Sequence, residues 1–196
     1  MTRIKPLIRI ATLSGSVRRD SFNTLLLAQA NDLAPANVEL HPLPNIGGLP
    51  LFSEDIEGEA LHGGPVSEFC AAMAQSDALL VATPEYNQSM PGGLKNALDW
   101  LSRAPSNPMT GKAAAVIGAT VGPWGTRLAQ AQLRHLLGVL GMRVLYAPAL
   151  YLAEAPRRID ASTAAYETSI ESMLAKVLES LAEETFSRWQ ANTQQA

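Results

Sequence analysis

Residues 8–30 read IRIATLSGSVRRDSFNTLLLAQA. An apolar, β-branched run ends at Leu13, polar and turn-forming residues occupy Gly15 to Asn23, and apolar residues then return at helical spacing. The stretch predicts a buried strand (Leu7 to Leu13), a loop, and an amphipathic helix over residues 21–34. The loop holds two arginines, two serines and an asparagine, more polar groups than a helix cap requires.

The same alternation runs through the chain. Further strands are predicted over residues 38–43, 77–84, 112–120 and 143–150, and further helices over 65–76, 92–103, 126–141 and 161–189. Residues 190–196 read as a frayed tail. Residues 45–64 have the Gly, Pro and acid content of a long surface loop. The run over 77–84, DALLVATP, is continuous and apolar, as in strands buried on both faces. Five strands alternating with helices predict an α/β fold, a doubly wound five-stranded parallel sheet in three layers, α/β/α. With no repeat or low-complexity linker, the chain reads as one domain over residues 1–196.

Bulk properties exclude several classes. A 196-residue chain with 47% apolar and 17% charged residues folds around a sizeable core. A formal net charge of −3 argues against nucleic acid as a partner, because phosphate neutralisation needs a basic face. No apolar run approaches the roughly 20 residues that span a bilayer. A single cysteine, Cys70, and no signal-peptide pattern predict a reducing cytoplasm. Cys70 stands in an apolar helix beside Phe69 and Met73 and reads as core. His41, His62 and His135 lack metal-ligand spacing, and no Gly-x-Ser-x-Gly elbow is present.

In a doubly wound sheet, ligands sit at the carboxyl ends of the strands near the reversal of winding. The loops after the first, third and fourth strands are SGSVRRDSFN, TPEYNQSMPGG and ATVGPWGTR. The first leads into a helix N-terminus, which favours anions. Ser16, Ser21 and Asn23 add donors there, and Arg18 adds a fork suited to phosphate oxygens. Ser21 also fits an ordinary N-cap. The loop has neither a Walker A ending nor a Gly-x-Gly-x-x-Gly fingerprint. In the third-strand loop two prolines stiffen the backbone, so that its N–H groups and Tyr86 can meet a flat heterocycle. Lys95 and Asp99 read as a helix-surface pair.

The stretches GSVRRDSFN and TPEYNQSMPGGLKNALDWLSR together resemble the NADPH-dependent FMN reductase family, a flavodoxin-like group that includes bacterial quinone and chromate reductases. The resemblance extends over about residues 7–180. It implies a flavodoxin-like fold and bound FMN. Ser16, Arg18, Ser21, Phe22 and Asn23 would hold the phosphate, and Pro84, Glu85, Tyr86 and Asn87 would line the isoalloxazine and ribityl chain. In the fourth-strand loop, Ala119 and Thr126 stand where many relatives have a serine and a second glycine; Gly122 is kept, so backbone donors at Ala119 and Gly122 would serve there. Trp124 in the same loop would cover the mouth of the pocket or pack. The implied activity is a ping-pong transfer of two electrons from NADPH or NADH through FMN to a small-molecule acceptor: a quinone, chromate, an azo or nitro compound, or free flavin. The alternative is a flavodoxin-type electron carrier, disfavoured by Arg18 and the mild net charge. A homodimer or homotetramer is expected from Ile46, Leu49, Leu51, Phe52 and Ile56 in the long loop and from Leu98, Trp100 and Leu101, with that loop approaching the flavin of a second copy.

Overall fold

The first strand, β1 (Ile8–Ser14), sends Ile8 and Ile10 into one core and Ala11 and Leu13 into another, as period-two alternation between two covered faces requires. The computed structural model describes residues 6–160 and 165–195. In chain order it contains α1 (Phe22–Asp32), β2 (Val38–Pro42), a 3₁₀ turn (Ile46–Gly48), α2 (Glu54–His62), α3 (Gly64–Ala74), β3 (Ala78–Ala82), α4 (Gly92–Arg103), β4 (Ala113–Ala119) and α5 (Arg127–Val139). Then follow β5 (Arg143–Val144), β6 (Leu150–Leu152), α6 (Ala155–Arg158), β7 (Ile159–Asp160), β8 (Ala165–Tyr166) and α7 (Thr168–Gln195). The main sheet is parallel in the order β2-β1-β3-β4-β5, with β6 also on β4. This is the doubly wound, three-layer fold the alternation predicts, and the winding reverses between β1 and β3. α1 and α7 cover one face, with Leu26, Ala30, Leu174 and Leu178. α3, α4 and α5 cover the other, with Phe69, Met73, Trp100 and Leu133. No helix among the described residues is long and apolar enough to cross a membrane.

Three parts differ from the sequence expectation. The long loop is partly helical. Asn45 caps the 3₁₀ turn by accepting from Gly47 N (2.7 Å), and Ser53 caps α2 by accepting from Asp55 N (3.2 Å). The fifth strand is split. β5 leaves the sheet after Val144 and β6 returns at Leu150; the Arg134 side chain takes the carbonyl of Val116 (3.0 Å), the acceptor that the next N–H of the ladder would need after Leu145 N meets Ala114 O. The closing helix starts at Thr168, after the β7–β8 pair, and runs through the tail to Gln195; residues 161–164 of the predicted helix lie outside the described residues.

Much of the apolar surplus that predicted self-association is accounted for within one chain, while Leu51 and Ile56 stay exposed. Leu98, Trp100 and Leu101 are buried in the α3–α5 core, as are Ile46 and Leu49. Trp100 Nε1 and Asn96 Nδ2 both donate to the Pro50 carbonyl (2.8 and 2.9 Å), and Asn96 Oδ1 accepts from Phe52 N (2.7 Å). Phe52 packs edge-on against Trp100, ring centroids 5.0 Å apart. The segment buries itself because α4 supplies the hydrogen bonds that irregular backbone lacks.

Candidate active site at the carboxyl ends of the strands

Helix α1 begins at the end of β1, so its first N–H groups face the loop Gly15–Ser21. Ser21 is the N-cap: its hydroxyl accepts from Asn23 N (3.2 Å) and Thr24 N (3.4 Å). Ser16 is buried and its hydroxyl accepts from Arg18 N (3.3 Å). The Arg18 guanidinium lies over the Phe22 ring, 5.4 Å from its centroid, and donates to the Asp20 carbonyl. The loop is therefore folded back on itself, with a cation beside a helix N-terminus. That combination suits a phosphate.

Asn23 has a different task. Its side chain donates to Ala119 O (3.0 Å) and accepts from Ala119 N (2.9 Å), fastening the first turn of α1 to the end of β4. The methyl group of Ala119 is buried, so only its backbone serves this contact. A side chain on neighbouring Gly118 would meet Thr126 Oγ1 at 2.2 Å and Thr83 O at 2.3 Å, which is why the strand passes here without one. Thr126, buried at the start of α5, fills that space and accepts from Gln130 Nε2 (2.8 Å).

The third-strand loop is a tight hairpin. Tyr86 and Ser89 exchange two N–H···O bonds of 3.0 Å, and Asn87 and Gln88 between them have φ of +50° and +63°. Positive φ at both central residues is the geometry of a two-residue hairpin turn, and asparagine tolerates it best among residues with side chains. Pro84 is buried beneath the turn; Tyr86 and Asn87 are exposed. Glu85 accepts from Leu128 N (2.8 Å) and Ala129 N (2.9 Å), capping α5, whose own Thr126 makes no side-chain cap bond. Gln132 completes the latch, accepting from Ser89 Oγ (2.7 Å).

The three loops are thus stitched into one rim: Gly15 N to Ala82 O (2.8 Å), Asn23 to Ala119, Glu85 to α5. Arg18, Tyr86 and Asn87 are exposed on it; Ser21, Asn23 and Glu85 use their polar atoms to hold it, Ser16 is buried, and the Gly122 backbone is taken by Thr120 Oγ1 (3.3 Å) and Glu154 N (3.0 Å). Nothing stands within 3.9 Å of where a side chain on Gly122 would begin, so the rim is open there. This donor set fits FMN, with the phosphate at α1 and open ground for a flat ring beside the hairpin. A cavity of about 710 Å³ includes Ser16 and Arg18 but runs outward between α1 and β2, past Leu27 and Leu40. It contains none of residues 84–87, 119 or 122, so the ground for the ring lies outside this cavity.

Sequence reading did not find Asn96, Gln130, Gln132 or Arg134 in these supporting roles. For Asn96, Gln130 and Arg134 a signal was present: each is a polar residue on the inward face of an amphipathic helix, whereas Gln132 is exposed. Cys70 is a core residue whose thiol faces Trp100 O (3.8 Å), and burial pushes its pKa up to about 11. Lys95 and Asp99 form the expected surface pair, at 2.6 Å.

Known proteins of one family resemble this chain. The model of the family described as NADPH-dependent FMN reductase matches residues 8–157. An NAD(P)H-dependent FMN reductase of Pseudomonas aeruginosa is 39% identical over 175 residues, covering 89% of this chain and 93% of that protein. A 2-hydroxy-1,4-benzoquinone reductase of a Burkholderia species is 42% identical over 156 residues, covering 79% and 84%. Among solved structures, the flavoenzyme NAD(P)H:(acceptor) oxidoreductase FerB of Paracoccus denitrificans superposes with a TM-score of 0.82 at 33% identity, covering 91% of this chain and 97% of that one.

Proposed function

The chain belongs to the NADPH-dependent FMN reductase family, and from that premise we propose that it is an FMN-dependent NAD(P)H oxidoreductase that reduces quinones or related flat acceptors. The observation that carries the proposal is the stitched rim, which sets a phosphate-binding helix N-terminus beside a rigid hairpin and an open cleft. The net reaction is NAD(P)H plus a proton plus quinone giving NAD(P)⁺ plus hydroquinone. When bound, FMN supplies a ring that takes two electrons from a nicotinamide and passes them to a second substrate.

The chain's own work is binding and orientation. Ser16, Arg18 and the N–H groups at Ser21 and Phe22 hold the phosphate, where the α1 dipole and the guanidinium both favour a dianion. Asn23 sets the distance from that point to the 119–126 loop, and Glu85 sets the hairpin against α5. Tyr86 and Asn87 border the ring; the N–H groups of Ala119 and Gly122, expected to meet its edge, are instead taken by Asn23 Oδ1 (2.9 Å) and Thr120 Oγ1 (3.3 Å). Pro84 stiffens the turn from below. Because the rim leaves one open cleft, donor and acceptor use it in turn, a ping-pong order. Steady-state rates with NADPH or NADH varied at several fixed quinone concentrations test this: parallel double-reciprocal lines are expected, and converging lines contradict the shared cleft.

We also propose that the protein acts in the cytoplasm as a homodimer or homotetramer. The apolar support for association is now Leu51, 81% exposed beside α2, rather than α4. Light scattering is expected to give a mass at least twice 20.9 kDa, and a monomer mass with full activity would contradict it.

A further inference from the structure

Trp124 is 76% exposed, an unusual place for the largest apolar side chain. The loop that carries it is firmly held. Thr120 N donates to Leu152 O (2.9 Å) and Glu154 N to Gly122 O (3.0 Å). Gly125, at φ +68°, lies so close to Tyr151 that a side chain there would meet Tyr151 Cβ and O at 3.1 Å. The indole is therefore presented to solvent from a rigid mount.

Together with Glu85, Gln88, Arg127 and Leu128, Trp124 lines a cavity of about 330 Å³. The lining comes from the third-strand hairpin and the start of α5, two sides of the candidate site. Glu85 is already committed to Leu128 N and Ala129 N. The Arg127 guanidinium lies 5.9 Å from the centre of the Tyr151 ring, and among the described residues it pairs with no carboxylate. The cavity thus offers an indole face, an aliphatic wall and a guanidinium that no carboxylate pairs, with the Glu85 carboxylate held on the N-terminus of α5, in a volume that suits one or two fused rings.

We propose that this cavity, at the hairpin edge of the cleft that donor and acceptor share, is the part that holds the acceptor, and that it selects planar acceptors carrying a negative charge. The ring packs on Trp124 and Leu128 and the anionic substituent meets Arg127. The assignment rests on the oxidoreductase reading above.

The test uses FMN-loaded protein and a redox-inert pair of ligands, naphthalene-2-sulfonate and neutral naphthalene-2-methanol, titrated by calorimetry. The sulfonate is expected to bind more tightly. Arg127→Gln is expected to cost the sulfonate about fivefold in affinity and leave the alcohol unchanged. Trp124→Ala is expected to weaken both by about fivefold. Equal binding of the two ligands, or an equal loss of both in Arg127→Gln, overturns the proposal. So does a slower bleaching of the flavin by NADPH in Arg127→Gln with sulfonate affinity intact, which assigns the cation to the nucleotide. A lower mass for Trp124→Ala in light scattering overturns it too, by assigning the patch to contact between copies. If NAD(P)H fails to bleach the wild-type flavin at all, the oxidoreductase reading fails and takes this proposal with it; bleaching without a sulfonate preference defeats the subsite alone.

Discussion

Two residues of the same motif, Arg18 in the loop and Asn23 in the first turn of α1, separate into different roles once their partners are known. Arg18 has only a neighbouring carbonyl and a ring to hold it, so its charge is available to a ligand. Arg18→Ala is expected to raise the Kd for FMN by about one to two decades, the worth of a charge-assisted hydrogen bond to phosphate, with a smaller effect on turnover of the loaded enzyme. An unchanged Kd in a fluorescence titration would reduce Arg18 to a solvated charge. Asn23 instead joins α1 to β4 by two buried hydrogen bonds. Asn23→Ala leaves a buried N–H and a buried carbonyl without partners and is expected to cost about 1–3 kcal/mol of stability for each, read from urea unfolding of the apo protein. A loss of FMN affinity with stability intact would contradict this. The motif's residue types were legible in the sequence; which of them touch ligand and which touch protein was not, because that depends on a partner 96 positions away.

At the level of elements, β4 and α5 set the shape of the site between them. Gly118→Ala is expected to destabilise the fold by about 1–3 kcal/mol or more, as overpacking against backbone does. Thr126→Gly is expected not to rescue it, since the Thr83 carbonyl would still stand 2.3 Å from the new methyl. Thermal melts of the single and double variants decide this, and full rescue would mean that only the threonine side chain blocks the position. The central strands were legible because buried parallel strands read as continuous apolar runs, as in residues 77–84. The fifth strand was read as one piece because its composition is strand-like throughout. What divides it is tertiary: the buried Arg134 side chain donates to Val116 O and Gln130 Oε1, and no local pattern announces that. α2 was missed for the opposite reason. Gly and Pro around it suggested a loop, while its cap at Ser53 and its acidic first turn were weaker signals in the same stretch.

For the molecule as a whole, the sheet has a functional end and a structural end. At the structural end Lys112 Nζ donates to Met73 O (2.8 Å) and Ala74 O (3.2 Å), closing the last turn of α3. Burial is the main cause that lowers its pKa from 10.5 to about 8; Arg188 adds to the effect and Asp77 opposes it. The unfolded chain keeps this proton to about pH 10.4. Between the two values the unfolded state therefore binds more protons, and raising the pH favours the fold through this group. Wild type is expected to gain stability relative to Lys112→Met as the pH rises from about 8 toward 10.5, measured as the difference in urea midpoints; parallel profiles would show that the amine titrates alike in both states. At the functional end, three loops meet over the reversal of winding, and the central claim is that they make an enzyme rather than a carrier. The most direct measurement is anaerobic addition of NADPH or NADH to the FMN-loaded protein with no partner present, following the yellow absorption band. The account predicts that one or both nucleotides bleach the band within the mixing experiment and that a quinone added afterwards restores it. A band that dithionite bleaches and neither nucleotide touches would contradict the account and leave an electron carrier in its place.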